Sequence, residues 1–312
     1  MSFLVIGECV ADIVRAPGTP DRVHPGGSPA NVAYGLGRLG REVALLTQLA
    51  DDDAGRLIGD HLKGAGVRLE VGGVPARTPS AVVALDAQGR ATYAFDIAWT
   101  LEAEPVRPAP APAHVHMGSI AAVTEPGATA VLALVEGLRG RATVSYDPNV
   151  RPALMGDHAG AVARVERCVA LSDLVKASDE DLAWLYPGAS PREVAARWLD
   201  LGPAVVLVTS GADGSLAVTR RATVAANAPK VPVVDTVGAG DSFMSAVLDT
   251  LAFRAGEDLG GLGAEYLARL LRRAAAAAAV TVSRAGAQPP DRGELDAAGE
   301  EFDLVVRSVR AS

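Results

Sequence analysis

The chain has 312 residues, of which 49% are hydrophobic and 21% are charged, a composition typical of a globular protein with a substantial buried core. Its formal net charge is −8 and its basic residues form no cluster, which argues against a nucleic-acid-binding surface. Two cysteines, Cys9 and Cys168, exclude a disulfide framework and give no zinc-binding spacing. Without a signal-peptide pattern or a run of 18 apolar residues, we expect a soluble cytoplasmic protein.

The first predicted element is a short buried strand at 3–6. It is followed by an extended segment from Glu8 to Val14, which contains Asp12. From this segment alone, Asp12 is as well explained as a solvated strand residue as by a role in a binding site.

The sequence PGGSPAN then leads into a helix, with Ser28 as its N-cap and Pro29 at its first position. Gly26 and Gly27 lie in the preceding turn, and Asn31 lies on the first helical turn. Two glycines and an amide can present donors and acceptors to a hydroxylated ligand, although the same residues could simply form a tight loop.

Gly35, Gly37 and Gly40 form a G-x-G-x-x-G pattern, which suggests a nicotinamide dehydrogenase. In dinucleotide-binding proteins these glycines follow a strand and open a helix. Here they lie at the end of a helical pattern, where Gly40 is typical of a C-cap, so we interpret them as structural.

The region from Val67 to Phe95 contains short strand-like segments, VRLEV, SAVVALD and ATYAF, separated by turn residues. We expect a small antiparallel sheet that stands apart from the core and acts as a lid. Tyr93, Phe95 and Trp99 could contact a substrate there, although alternating aromatic residues more often serve packing. Residues 104–113 are proline-rich and predict a polyproline-like connection back to the core.

Strands and helices alternate through the next part of the chain, which predicts a parallel sheet with helical crossovers. The strands lie in HVHMGS, ATVSYDPNVRP, LSDLVKAS and AVVLVTS. In such sheets ligands bind beyond the carboxyl ends of the strands. His114 and His116 face the same side of one strand but have no third metal ligand nearby, so we interpret them as ordinary edge or core histidines.

The segment VPVVDTVGAGDSFMSA at 231–246 carries the strongest chemical signal. It predicts a strand over Val231–Val234, then a glycine turn, then a helix that begins near Asp241. Glycines let backbone N–H groups converge on a phosphate, and the helix dipole adds positive potential. A carboxylate beside such a site is suited to take a proton from an attacking hydroxyl.

This segment resembles the second signature of the ribokinase-like (phosphofructokinase-B type) carbohydrate kinases. Other motifs of that family occur in the family's order: GGSPAN at 26–31, DPNVR at 147–151, KASDED at 176–181, TSGADG at 209–214 and SRAGAQP at 283–289. The resemblance implies an α/β fold, a three-layer α/β/α core with a mostly parallel central sheet plus a small β-sheet lid. It implies one kinase domain over 1–312, with lid segments at about 10–24 and 67–100.

The resemblance also implies roles for individual residues. Asp241 would be the general base, and the backbone N–H groups of Gly238, Ala239, Gly240 and Asp241 would bind the transferring phosphoryl group. The sugar-binding residues would be Asp12, Gly26, Gly27 and Asn31, with Phe95 and Arg151 as further candidates. Arg151 could contact either a substrate carboxylate or the phosphates.

ATP with Mg²⁺ is the implied cofactor, and K⁺ is a further candidate. The nucleotide-binding residues would be Lys176, Ser178, Thr209, Gly211, Gly214, Gly238, Gly240, Gly286 and Ala287. Asp235 and Thr236 would lie at a monovalent-cation site, and Asp181 would reach magnesium through water. The family usually has Asn at the position of Ser178 and Glu at that of Asp181, so the water network around magnesium could differ. Lys176 could equally be a solvated lysine at a strand end.

We therefore expect an ATP-dependent kinase that phosphorylates a primary hydroxyl of a small sugar, with fructose favoured by GGSPANVA and DPNVRPAL. A kinase for 2-keto-3-deoxygluconate or another sugar or nucleoside is the alternative within the family. A non-catalytic sugar or nucleotide sensor and an NAD-dependent dehydrogenase are the alternatives from other classes. The lid sheets of relatives often pair, so the resemblance also implies a homodimer. From the net charge and the lack of a long apolar run, we expect no nucleic-acid or membrane partner.

Overall fold

The computed structural model describes residues 2–85, 91–101, 111–252, 259–302 and 306–308. The strands are β1 (Ser2–Ile6), β2 (Val10–Arg15), β3 (Arg22–Gly26), β4 (Glu42–Thr47), β5 (Arg68–Val71), β6 (Ser80–Leu85), β7 (Ala91–Asp96), β8 (His114–Gly118), β9 (Thr143–Asp147), β10 (Leu174–Ser178), β11 (Val205–Thr209), β12 (Ser215–Val218), β13 (Thr223–Ala226) and β14 (Val306–Ser308).

The helices are α1 (Ser28–Arg38), α2 (Asp53–Gly64), α3 (Gly127–Leu138), α4 (His158–Ala170), α5 (Asp179–Leu185), α6 (Pro191–Leu201), α7 (Ala239–Leu251), α8 (Ala264–Val282) and α9 (Arg292–Glu301). Among the residues that the structure describes, no helix combines the length and the apolar character that crossing a membrane requires.

The larger sheet has the strand order β14-β13-β12-β11-β10-β9-β8-β1-β4-β5 within the described residues. From β11 to β5 every neighbouring pair is parallel, whereas β12, β13 and β14 continue the sheet in antiparallel fashion. The predicted mostly parallel central sheet is therefore confirmed. Its carboxyl-terminal edge gathers the ends of seven strands, and the family motifs follow several of them.

Helices cover both faces of this sheet, because side chains alternate between the faces along each strand. Phe3 and Val5 belong to one hydrophobic cluster, and Leu4 and Ile6 belong to the other. The first cluster includes buried side chains of α1, α2, α7, α8 and α9, and the second includes those of α3, α4, α5 and α6. The three-layer α/β/α core is thus confirmed.

The four strands β3-β2-β6-β7 form a separate sheet, which we call the minor sheet. The pairs β2/β3 and β6/β7 are antiparallel, but β2 and β6 are parallel, so the prediction of an all-antiparallel sheet was wrong at its centre. The segment VRLEV was also assigned wrongly, because β5 pairs with β4 in the larger sheet. The crossover helix α2 returns the chain parallel to β4, as β-α-β units do.

Two other predictions concern segments near the ends of helices. Gly35 and Gly37 lie within α1, whose C-cap is Leu39, and Gly40 follows the cap with φ +71°. The glycines therefore lie at a helix end, as predicted, although Gly40 is one position beyond the cap. Residues 102–110, most of the predicted polyproline-like connection, lie outside the described residues.

The predicted strand over Val231–Val234 does not form. Val233 and Val234 are 65% and 63% exposed, and Pro232 has no N–H to give to a strand ladder. The N–H groups of Val234 and Asp235 instead donate to the Val282 carbonyl at the end of α8, at 2.8 and 3.2 Å. The segment is therefore an irregular connection, held by the end of a helix.

The histidines of β8 are buried, as their interpretation as core residues predicted. His114 Nε2 and His116 Nδ1 both contact the Ser145 hydroxyl, at 2.8 and 2.9 Å. Burial lowers the pKa of each imidazole to about 3, so both are neutral at physiological pH.

Candidate active site

The N-terminal ends of α1 and α7 meet at Asp241. The Ser28 hydroxyl donates a hydrogen bond to Asp241 Oδ1 at 2.7 Å, and Asn31 Nδ2 donates to Oδ2 at 2.8 Å. Ser28 was predicted to be the N-cap of α1, but Gly27 occupies that position and the Ser28 side chain makes no capping bond. Residues of α1 thus orient both carboxylate oxygens of Asp241. The sequence reasoning missed Ser28 as a site residue, because a serine in that position is also typical of an N-cap.

The environment of Asp241 makes its carboxylate a stronger base than that of an exposed aspartate. Burial raises the pKa of this carboxyl above its ordinary value, and the negative charge of Asp147 acts in the same direction. The hydrogen bonds from Ser28 and Asn31 and the charge of Lys176 oppose the increase. A carboxylate with a raised pKa is a stronger base than an exposed one, which suits it to accept a proton near neutral pH.

The turn before α7 brings backbone N–H groups to the same place. Gly238 is the N-cap of α7 with φ +76°, a conformation that glycine adopts at little cost. A Cβ atom at Gly238 would lie 2.5 Å from Ala287 Cβ, so the 283–290 turn packs directly on this glycine. The first N–H groups of a helix have no partner within the helix, although Ala239 N–H donates weakly to Thr236 O at 3.3 Å.

Lys176 and Asp147 form a buried ion pair beneath this turn. Lys176 Nζ lies 2.9 Å from Asp147 Oδ2, and the two residues are 5% and 0% exposed. Burial alone lowers the pKa of Lys176, but Asp147, Asp181 and Asp241 together raise it above its ordinary value. A Cβ atom at Gly240 would lie 2.8 Å from Lys176 Nζ, so the ammonium group is next to the glycine turn and the interpretation as a solvated lysine is wrong.

Ser178 and Asp181 belong to a capping box at the start of α5. Ser178 Oγ accepts from Asp181 N–H at 3.0 Å, and Asp181 Oδ2 accepts from Ser178 N–H at 2.9 Å. Asp181 Oδ1 also accepts from Val150 N–H at 2.8 Å, which fixes the loop after β9. The Ser-x-x-Asp spacing is a helix-start signal in the sequence. The assignment of both residues to the nucleotide and magnesium stays a prediction.

Several of the predicted sugar-binding residues lie near one another. The Asp12 carboxylate lies against Gly26, where an added Cβ atom would come within 2.1 Å of Asp12 Oδ2. The pKa of Asp12 is raised to about 6, mainly by burial and also by the negative charge of Asp241, against the opposing effect of the positive charges of His24 and Arg151. Asp12, Arg151 and Asp241 are therefore near enough to interact electrostatically.

Glu8 is a buried acid that the sequence reasoning did not select. It lies between β1 and β2, is 3% exposed and accepts a hydrogen bond from Ala121 N–H at 3.2 Å. Burial raises its pKa to about 7, although Ser119 and Arg151 act to lower it. Gly27 packs on the Glu8 carbonyl, which an added Cβ atom would approach to 2.5 Å. The sequence signal that could have identified Glu8 is an acid two residues after a buried strand, where the carboxyl edge of the sheet is expected.

Phe95 lies in the minor sheet in the same cross-strand row as Asp12. Asp12 pairs with Ala81 of β6, and Ala81 pairs with Phe95 of β7. Paired residues of neighbouring strands share a face, so the exposed Phe95 ring and the Asp12 carboxylate lie on the same side of the sheet.

The predicted nucleotide loop follows β11. Thr209 ends that strand and pairs with Ser178 at the end of β10, so the two motifs lie side by side. Gly211 and Gly214 have φ values of +49° and +104°. A Cβ atom at Gly214 would lie 2.0 Å from the Ala226 carbonyl oxygen, so only glycine fits this turn.

Asp235 connects two of the predicted segments. Its carboxylate accepts from Val237 N–H at 3.0 Å and from Gly286 N–H at 2.8 Å, so the loop at 235–238 and the turn at 283–290 are held together. Among the residues that the structure describes, no cluster of three or more His, Cys, Asp or Glu side chains is suited to hold a metal ion.

Comparison with known proteins places this chain in a family. The pfkB family carbohydrate kinase profile matches residues 2–292. A fructokinase of Rhizobium leguminosarum bv. trifolii is 34% identical over 234 residues, which are 73% of this chain and 72% of the relative. A fructokinase of Klebsiella pneumoniae is 34% identical over 258 residues, covering 80% and 83%.

Solved structures agree with the sequence relatives. A fructokinase double mutant from Vibrio cholerae O395, with fructose, ADP and potassium bound, superposes with a TM-score of 0.82 at 26% identity, covering 95% of this chain and 97% of that one. Aminoimidazole riboside kinase from Salmonella enterica, complexed with aminoimidazole riboside and an ATP analogue, gives 0.79 at 27% identity, covering 96% and 100%. The chain belongs to the pfkB family of carbohydrate kinases.

Proposed function

We propose that the protein is an ATP-dependent fructokinase, which transfers the γ-phosphoryl group of ATP to a primary hydroxyl of fructose. The observation that carries the proposal is the position of Asp241, at the N-terminus of α7 and oriented by two hydrogen bonds from α1. Fructose as the substrate is supported by the fructokinases that are 34% identical to this chain.

In the proposed reaction, Asp241 accepts the proton of the attacking hydroxyl. Ser28 and Asn31 hold the carboxylate in one orientation, so that one oxygen can face the hydroxyl without reorganisation. The raised pKa of Asp241 makes the proton transfer more favourable than it would be to an exposed aspartate. Asp12, Gly26, Gly27 and Asn31 bind the sugar.

The transferring phosphoryl group is stabilised by the start of α7. Backbone N–H groups of Gly238, Ala239, Gly240 and Asp241 surround its oxygens, and the helix dipole adds positive potential. Lys176, held by Asp147 next to Gly240, supplies a full positive charge beneath the same turn. Such fixed charges favour the transition state because no solvent has to reorganise.

ATP binds with Mg²⁺ along the carboxyl ends of β10 and β11, against Ser178, Thr209, Gly211, Gly214, Gly286 and Ala287. Magnesium is held mainly by phosphates and water, with Asp181 in its hydration network. K⁺ binds by Asp235 and Thr236. The potassium-bound fructokinase of Vibrio cholerae O395 supports that part of the proposal. The segment at 2–292 works as one kinase unit, and the minor sheets of two copies pair in a homodimer.

A sugar acid is the competing substrate class, because Arg151 could pair with a carboxylate. However, the charge of Arg151 already acts on the carboxyls of Glu8 and Asp12. An added carboxylate would meet these acids as well as the arginine, which favours a neutral sugar over 2-keto-3-deoxygluconate.

The test is ADP release from MgATP with fructose, 2-keto-3-deoxygluconate, ribose and adenosine offered singly. We expect the highest kcat/KM with fructose. A higher value with another member of the panel would replace fructose by that compound. If no sugar stimulated ADP release while sugar still bound, the protein would be a sensor, and NAD reduction serves as the control for dehydrogenase activity.

A further inference from the structure

A histidine of the minor sheet lies directly opposite Asp12. His24 of β3 and Asp12 of β2 are register partners in an antiparallel pair. Side chains of directly opposed residues share a face, with Cβ atoms about 4.5–5.5 Å apart. With Ala81 and Phe95, they form a row across all four strands, which we call the lid row: His24, Asp12, Ala81 and Phe95.

The lid row faces the candidate active site. The Asp12 carboxylate responds to the charges of Asp241 on α7 and of Arg151 after β9, which are residues of the core. The positive charge of His24, on the neighbouring strand β3, also acts on the Asp12 carboxylate. His24 is exposed and lies on an edge strand, so a ligand beneath the minor sheet can reach its imidazole.

We propose that His24 is a specificity-determining residue that binds a sugar hydroxyl beside the one bound by Asp12. The inference rests on the proposed sugar-kinase function. A carboxylate can only accept hydrogen bonds, whereas an imidazole can donate as well as accept. The pair can therefore bind two neighbouring hydroxyls in different ways: one donates to Asp12, and the other accepts from, or donates to, His24. Ala81 leaves space beside them, and Phe95 presents an apolar surface to the C–H groups of the sugar.

The same pairing makes sugar binding sensitive to pH. The ionised carboxylate of Asp12 is a stronger acceptor for a hydroxyl than the protonated acid is. The groups whose charges act on it are His24 on β3, Arg151 after β9 and Asp241 on α7. The positive charge of His24 lowers the pKa of Asp12, so its loss moves the protonation of Asp12 to higher pH.

The test compares His24→Ala and His24→Gln with wild type in fructose-dependent ADP release. Loss of one hydrogen bond predicts a rise of up to about tenfold in the KM for fructose. We expect kcat and the KM for ATP to stay within about twofold, since no contact with phosphate is lost. Glutamine retains a donor and an acceptor and should recover part of the affinity. In His24→Ala the acid limb of kcat/KM for fructose moves to higher pH.

Arg22→Gln is the matched control, because Arg22 is exposed on the same strand and pairs with Val14 rather than Asp12. It removes a cation from the lid without removing the proposed contact, and its KM for fructose should remain near that of wild type. An unchanged KM and acid limb in His24→Ala, with wild type active, would overturn the role of His24. An equal effect of Arg22→Gln would do the same, by showing that lid charge alone matters. Inactivity of wild type with every sugar would contradict the proposed function instead.

Discussion

Asp241 combines two properties that a general base needs, a fixed orientation and a raised pKa. In Asp241→Asn the amide keeps the size of the side chain but cannot accept the proton. We expect turnover to fall by about 10² or more, the contribution typical of general-base catalysis, while fructose binding stays nearly intact. Steady-state kinetics and sugar titration by calorimetry measure the two effects. Asp60→Asn, on an exposed position of α2, is the control. Near-normal turnover of Asp241→Asn would exclude this residue as the base.

The protonation of Glu8 should affect the free energy of unfolding. Its pKa is raised from 4.5 to about 7 by burial, so the folded state holds this proton more tightly than the unfolded state does. The stabilisation is fully present below pH 4.5 and is lost as pH rises through about 7. The change is about 3 kcal/mol over that interval. We therefore expect Glu8→Gln to be more stable than wild type at pH 8 and similar to it at pH 4.5, in urea denaturation. A difference independent of pH would contradict this linkage.

Site residues that belong to a family motif could be predicted from the sequence. Residues that reach the site only through the packing of the fold were harder to predict. Asp241 and Asn31 follow from the motifs, and the structure brings them within hydrogen-bond distance. Ser28 was wrongly predicted to be a helix cap. A serine at the start of a helix is typical of a cap, and the sequence does not show its hydrogen bond to Asp241, which is 213 positions away. Glu8 has no motif of its own, and only the three-dimensional fold shows that it is buried.

At the scale of elements, the glycine turn before α7 can be tested with a matched pair of glycines. Gly238 and Gly40 have nearly the same φ, +76° and +71°, but only a Cβ atom at Gly238 would clash, with Ala287. Gly40→Ala should cost about 1 kcal/mol, the price of a left-handed alanine. Gly238→Ala should cost more and also lose most turnover, because the turn and its N–H groups must shift. Thermal denaturation and kinetics separate the two costs. Equal stability losses and full activity would show that the packing on Ala287 is unimportant.

The approximate positions of some helices follow from their sequence signals, whereas strand partners do not. Between the strands in HVHMGS and ATVSYDPNVRP, the sequence predicts a helix at about 128–137, and α3 spans Gly127–Leu138. The segments VRLEV and SAVVALD look alike as sequences, yet β5 joins the larger sheet and β6 the minor sheet. Pairing depends on where the connecting helix α2 directs the chain, which local pattern does not contain. The apolar run at Val231–Val234 fails as a strand because Pro232 has no N–H to donate and the N–H groups that follow donate to Val282 O at the end of α8.

At the scale of the whole molecule, Asp249 connects the far end of α7 to three other parts of the chain. It is fully buried, and its carboxylate contacts Arg41 and Arg292 at 2.6 Å and Arg273 at 3.4 Å. Removing one partner of a buried ionic group leaves charges unpaired and typically costs about 3–5 kcal/mol. We expect that loss for Asp249→Ala in chemical denaturation.

The matched control for Asp249 is Asp200→Ala, which breaks the exposed pair with Arg220. Exposed pairs contribute about 0–1 kcal/mol, so this variant should be nearly as stable as wild type. Similar losses in the two variants would show that the Asp249 cluster does not anchor α7. The sequence offers only an acid within an apolar helix as a hint of this cluster, since its arginines come from distant positions.

The overall architecture was easier to predict than the strand partners or the single residues of the site. The order of the family motifs and the alternation of strands and helices both indicate the same fold. What they leave open is how the minor sheet is attached. Two side chains fasten its connections: Asp52 accepts from Thr78 N–H and Oγ1 at 2.9 and 2.7 Å, and Gln48 bonds with Thr100. Both lie after β4, so the sheet is anchored at the carboxyl edge of the core, beside the site.

An anchored sheet that carries Asp12 over Asp241 should close when a sugar joins the two. We expect fructose to slow amide hydrogen exchange in β2, β3, β6 and β7, because bound sugar suppresses the opening motions of the minor sheet. Strands β8 and β9, in the middle of the larger sheet, should exchange at unchanged rates and serve as the internal control. Mass spectrometry with and without saturating fructose measures both groups of peptides. Protection spread equally over both sheets would indicate general stabilisation by ligand, and unchanged exchange in the minor sheet would show that it does not act as a lid.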